Sequence, residues 1–175
     1  MSKNLFIFLA GSFIIIFLSR FSLKKPESYK IYRSLVWEFI LILFILNRQT
    51  WFQDPLSWHQ WISWILLIIS LLPLITGIYY LRKFGVPTDS IETTTKLVDK
   101  GIYKYIRHPL YSSLLFLSWG IFFKSPTINE LLLTLLILLF IFATAREDEK
   151  TSSNKFGVSY ISYSKKTKRF IPYLF

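Results

Sequence analysis

Five apolar stretches, each closed by charged or turn-forming residues, set the plan of this chain. They cover residues 5–18, 31–46, 58–81, 109–123 and 128–145. A helix that crosses a bilayer needs roughly 20 mostly apolar residues, so the pattern predicts an all-α integral membrane protein with about five transmembrane helices. The second stretch carries Arg33 and Glu38, and the fourth is short for a span. The Lys124-Ser125-Pro126 break makes the fourth and fifth the arms of a tight C-terminal helical hairpin. Pro73 and Gly77 interrupt the third, as a packing kink or as the wall of a cavity. The first lacks a small-residue cleavage site before its basic flank, so it reads as a retained helix.

Beyond the fifth stretch, Phe156, Tyr160 and Tyr163 recur at helical spacing, with Val158 and Ile161 nearby. Lys165, Lys166, Lys168 and Arg169 then precede a last apolar run, 170–175. This predicts an amphipathic cytoplasmic tail lying on the bilayer, its basic run drawn to anionic lipid. No repeat or low-complexity linker divides the chain. It reads as a single membrane domain, 1–175, with three N-terminal helices in 1–81 and a loop, hairpin and tail in 82–175.

Composition agrees. Of the 175 residues 53% are hydrophobic and 19% aromatic, too apolar for an ordinary soluble domain of this length. The absence of cysteine excludes disulfides, thiolate catalysis and Cys-ligated metal sites, and no metal is expected. The net charge of +11 raises nucleic acid as a partner, but the charges sit between apolar runs and orientation explains them more simply. With the C-terminus cytoplasmic and five crossings, the segments 20–33, 82–107 and 146–169 hold eighteen of the 21 basic residues. Lys3, Arg48 and Lys124 face the other side, and the N-terminus lies outside. The loop with Trp51, Phe52 and Trp58, followed by Trp61 and Trp64, reads as an interfacial aromatic belt, and His59 within it as structural.

Two polar clusters then fall on one membrane face. In Arg107-His108-Pro109, proline suits the first turn of the fourth helix. Two basic side chains beside a partly positive helix N-terminus call for an anion, either a lipid phosphate or a bound ligand. Glu147, Asp148 and Glu149 follow the fifth stretch, near what reads as a helix C-terminus, where the dipole disfavours acids. Pairing with neighbouring bases is one explanation, and a bound cation is the other. A zwitterion bridging both clusters satisfies both, and S-adenosylmethionine is such a molecule. Tyr103, Tyr105 and Tyr111 offer faces for stacking and for cation–π contact with its sulfonium.

The run Gly101-Ile102-Tyr103-Lys104-Tyr105-Ile106-Arg107-His108-Pro109-Leu110-Tyr111 resembles the signature of the isoprenylcysteine carboxyl methyltransferase family, which is related to phospholipid methyltransferases. An acidic pair, Phe156-Gly157, Tyr160, Tyr163 and Ile171-Pro172 extend the resemblance over about residues 95–175. It implies a membrane-embedded S-adenosylmethionine-dependent methyltransferase whose amphiphilic or prenylated acceptor enters from the bilayer. By the same resemblance Lys96, Leu97 and Val98 contact the cofactor through backbone, and Tyr103, His108 and Tyr111 line its pocket; Arg107 joins the cofactor-binding candidates from the anion-site reading. Asp148 and Glu149 match a glutamate pair that holds it, with Glu147 an alternative to Asp148. Arg146 stands nearest to a substrate-contacting arginine. The chain departs from the family at Asp148, at Ser112-Ser113 and at Ser152, where an apolar residue is expected.

The expected reaction is direct methyl transfer, accelerated by positioning and desolvation. A carboxylate acceptor, the favoured reading, is already ionised; an amine requires a base, for which His108 and Glu149 are candidates. The alternatives are a membrane NADPH-dependent sterol or steroid reductase, and a non-enzymatic membrane protein that keeps the fold. The expected location is a bacterial or archaeal inner membrane, or the endoplasmic reticulum.

Overall fold

The computed structural model describes residues 3–23, 28–88 and 94–174. Lys24, Lys25 and Phe175, and the side chain of Arg20, lie outside the described residues. Six helices follow in chain order: α1 Lys3–Leu23, α2 Ser28–Asn47, α3 Trp58–Phe84, α4 Pro109–Phe122, α5 Ile128–Phe156 and α6 Val158–Lys166. A short 3-10 turn, Gly101–Lys104, leads into α4. Among the described residues the extended pairing amounts to two isolated bridges, Pro87 with Thr94 and Ile106 with Lys168.

Local sequence explains the ends. Thr127 caps α5 by accepting the amide of Glu130 at 3.4 Å, a Ser/Thr-x-x-Glu start just after Pro126. Pro109 opens α4 at a position where a missing amide costs nothing. Gly157 closes α5 at φ 56° and ψ −132°, a backbone conformation that glycine adopts and other residues avoid, and so turns the chain into α6.

The helices alternate in direction. Ser12 of α1 donates to Glu38 of α2 at 2.7 Å. The start of α3 meets the end of α4, where Ser63 donates to the Gly120 carbonyl at 2.6 Å and His59 Nδ1 lies 3.1 Å from the Phe123 carbonyl. Packed order across the bundle is α1, α2, α5, α4, α3, with α2 also touching α4. Val36, Ile40 and Leu43 of α2 meet Leu114, Ile121, Ile137 and Ile141 in the main core. Gly77 makes room at the α3–α4 crossing, because a Cβ there would meet Leu110 at 3.0 Å and Pro109 at 3.3 Å. The interruption in the third apolar stretch is thus a packing contact, and α3 continues through Pro73.

Among the described residues two helices are long and apolar enough to cross a membrane, Trp58–Phe84 and Ile128–Phe156. Asn4–Phe17 and Pro109–Phe122 are shorter apolar stretches. The charges of α2 and the 14 residues of α4 keep those helices below the same mark.

Three expectations are corrected. The fifth helix does not end near Ala145 but runs to Phe156, so the acidic cluster lies inside it and away from the helix C-terminus. Lys124 is not a loop charge facing solvent: it is 1% exposed, over the Trp64 ring at 3.5 Å, and donates to Gln60 at 2.9 Å. The tail is not laid with its aromatic face on lipid, for Tyr160, Tyr163 and Phe170 are buried in the protein.

Candidate active site

At 1.5 Å per residue, the roughly 30 Å of hydrocarbon in a bilayer takes up about 20 residues of α5. Counting from Ile128, the helix reaches the boundary near Glu147, and its last turns project beyond. Asp148 and Glu149 stand at that level, and α3 and α4 bring the other half of the site to the same end.

The residues before α4 are held by the chain that follows α6. The amide of Arg107 donates to the Lys168 carbonyl at 2.8 Å, and the amide of His108 to the Arg169 carbonyl at 3.0 Å. In return the amide of Lys168 donates to the Tyr105 carbonyl at 3.0 Å. Ser112 donates to the Phe170 carbonyl at 2.7 Å, a role for one of the two serines that depart from the family pattern. Phe170 packs against His108 and Phe142. Residues 167–170 therefore form a strap across the motif.

Under the strap lies a charge network. Arg107 Nε donates to Glu149 Oε1 at 3.0 Å, and the second arm of that guanidinium lies 2.9 Å from the same oxygen. Arg169 approaches both oxygens of Glu149, at 3.1 Å and 2.9 Å. His108 Nε2 stands 3.2 Å from Glu149. Arg107 also donates to the carbonyls of Ser164, at 2.9 Å, and Thr167. Glu149 raises the Arg169 guanidinium above its ordinary value by hydrogen bonding to the charged form. The anion wanted by Arg107 and His108 is thus supplied by the chain itself. The extra turns of α5 carry the acids to the bases, and the two clusters answer each other without a bridging ligand.

Asp148 is placed differently. Tyr111 donates to its Oδ2 at 3.3 Å, and His108 Nδ1 is 3.6 Å from the same atom. Oδ1 has no hydrogen bond among the described residues. Asp148, Ser152 and Phe156 recur every four residues and share one face of α5. That face borders a cavity of about 600 Å³, its open mouth included. Leu97, Val98, Tyr103 and Leu110 wall one side, Tyr160 and Tyr163 of α6 another, and Arg107, His108 and Tyr111 the floor. Tyr163 donates to the Tyr103 carbonyl at 2.8 Å, locking α6 to the 3-10 turn. Burial pushes the phenols of Tyr103, Tyr160 and Tyr163 up, so all three are neutral at physiological pH.

The structure thus brings together Leu97, Val98, Tyr103, Arg107, His108, Tyr111 and Asp148 around one cavity. Glu149 sits behind it, joined to Arg107 and His108. Lys96 is exposed, and its amide is taken by the Gly85 carbonyl at 3.1 Å. Tyr105 turns away and packs on Tyr173. Arg146 is exposed and lines a separate groove with Tyr32, Phe142 and Lys150. Glu147 lines that groove as well and pairs with Lys150 at 2.5 Å, which leaves Asp148 as the acid of the cluster on the cavity.

Arg169, Ser152, Tyr160 and Tyr163 are not among the site residues named from the sequence, although the resemblance implies that the tail helps to form the pocket. The tyrosine spacing signalled a helical face, but composition does not say whether that face meets lipid or protein. Nothing distinguishes Arg169 from the neighbouring lysines until the strap is seen to fold back.

A family model described as phospholipid methyltransferase matches residues 58–157, more than half of the chain. No curated protein matches it.

Proposed function

The chain belongs to the phospholipid methyltransferase family, and from that premise we propose that it is an integral membrane enzyme that transfers a methyl group from S-adenosylmethionine to a lipid-like acceptor. The observation that carries this reading is the cavity at the bilayer boundary, walled by tyrosines and holding Asp148 with one oxygen unengaged.

The residues fit the cofactor. S-adenosylmethionine, when bound, supplies a methyl group made electrophilic by a sulfonium. Asp148 would hold its cationic part, and the faces of Tyr103, Tyr111 and Tyr160 would stack on its rings and favour positive charge. Leu97 and Val98 close the wall and exclude water, which strengthens each of these contacts. Glu149 acts at one remove: it fixes Arg107, Arg169 and the His108 ring. For an amine acceptor His108, on the cavity lining beside Asp148, would be the candidate base. A carboxylate acceptor, as in the isoprenylcysteine type, requires no base but meets the charge of Asp148. Arg146, outside the cavity, is assigned no catalytic role.

The proposed topology has five crossings, with α4 the short arm of the hairpin, the N-terminus outside, and the site in the cytoplasm. The function is tested by calorimetry of the purified protein in detergent, with S-adenosylmethionine and NADPH run in parallel. Saturable binding of the first alone is expected. Binding of NADPH alone would transfer the protein to the reductases, and binding of neither by folded protein would make it a non-enzymatic relative.

A further inference from the structure

The tail carries a second concavity. Between the end of α6 and the strap, the chain turns back on itself and leaves a groove of about 700 Å³, open to solvent. Lys165, Lys166, Lys168 and Arg169 line its sides, Arg107 its floor and Leu174 its rim. No carboxylate of the described residues lines it. Glu149, behind the floor, answers the two arginines, while Lys165, Lys166 and Lys168 have no ion pair among the described residues.

Exposed lysines around a hollow suit a phosphate, which accepts several donors at once. The flank is apolar: Leu174 is 75% and Tyr173 83% exposed beside the groove, and Val158 and Ile161 of α6 are exposed as well. A cationic hollow with an apolar border, at the level where α5 leaves the bilayer, matches an anionic headgroup attached to acyl chains. We infer that this groove binds the headgroup of an anionic phospholipid, distinct from any methyl acceptor, and that the bound lipid steadies the cavity.

The second half follows from connectivity and rests on the methyltransferase reading. Lys165 and Lys166 belong to the helix that supplies Tyr160 and Tyr163. Lys168 and Arg169 belong to the strap whose carbonyls hold the amides of Arg107 and His108. One phosphate between them ties two walls of the cavity together. Ordering those walls before the cofactor arrives removes part of the cost of binding it.

The test uses the full-length protein in nanodiscs of phosphatidylcholine with or without phosphatidylglycerol. Native mass spectrometry of the released protein reads lipid retention, for the wild type and for the triple variant Lys165→Gln, Lys166→Gln, Lys168→Gln. Preferential retention of phosphatidylglycerol is expected in the wild type, reduced about tenfold or more in the variant at unchanged Tm. Equal retention of both lipids, or no effect of the variant, overturns the site. Full displacement of the lipid by millimolar inorganic phosphate overturns the lipid assignment in favour of a soluble ion. S-adenosylmethionine affinity is then measured in both discs, with a gain of about fivefold expected from phosphatidylglycerol in the wild type and none in the variant. Equal affinity in both discs, with lipid retention intact, overturns the coupling alone. Absence of cofactor binding in either disc overturns the methyltransferase reading and leaves the lipid site standing.

Discussion

Successive side chains on a helix point about 100° apart, so Asp148 and Glu149 look in different directions and meet different partners. Glu149 meets two guanidiniums and an imidazole, and Asp148 meets one phenol, the other nitrogen of that imidazole and the cavity. Two substitutions separate these roles. Asp148→Asn keeps an acceptor for Tyr111 and removes only charge, so S-adenosylmethionine affinity measured by calorimetry should fall about tenfold with little change in Tm. Glu149→Gln leaves Arg107 and Arg169 half-buried and unanswered, and should destabilise the protein by about 3 kcal/mol. The readout is a clear drop in Tm, with binding lost as a consequence. The sequence announced that an acid pair and an Arg-His step belong together. It did not disclose which acid faces the cavity, because that depends on the rotation and length of α5. The same blindness applies to Ser152, which replaces an expected apolar residue and lies on the cavity wall.

At the scale of elements, the hydrophobic pattern located all five apolar helices to within a few residues at their apolar ends. Where it failed, the helix continued through polar sequence. From Arg146 to Lys155 the composition is that of a loop, yet the helix persists, since its outer turns are held by the Arg107–Glu149 pair and by packing against α6. Local propensity cannot register a partner more than forty residues away. The break that does occur, at Gly157, is set by backbone alone. A Cβ there would meet nothing within 4 Å, so Gly157→Ala adds strain without a clash. The expected cost is about 1–3 kcal/mol. Because α6 carries the tyrosine wall, cofactor affinity should weaken along with Tm, and a variant with full affinity would show that α6 is positioned independently of this turn.

For the whole molecule, charge bias along the chain gives the proposed orientation, and the absence of cysteine makes it easy to check. Gln53 and Lys155 are exposed at opposite ends of the bundle. Gln53→Cys and Lys155→Cys should react with a membrane-impermeant maleimide from opposite sides, Gln53→Cys from outside. Labelling of both from one side would break the alternating topology. At the end away from the site, burial lowers the Lys124 ammonium to about 8, although the Trp64 ring and Gln60 favour its charge. Below that pH the folded and unfolded chains both carry the proton. Between about 8 and the ordinary 10.5 the unfolded chain keeps it and the folded one releases it, so stability rises with pH across that window. The Tm difference between wild type and Lys124→Met, followed from pH 7 to 10, should shift in favour of the wild type. The charge count treated Lys124 as a solvated loop residue because no composition rule foresees a cage of tryptophans from two other segments. The strap has a consequence for how the protein is made. Residues 167–170 follow α5 and α6 in the sequence, so the apolar helices can insert without the strap, which closes over Glu149 once they have packed. A chain stopped after Lys166 should therefore reach the membrane and resist extraction, but with a lower Tm and weakened S-adenosylmethionine binding.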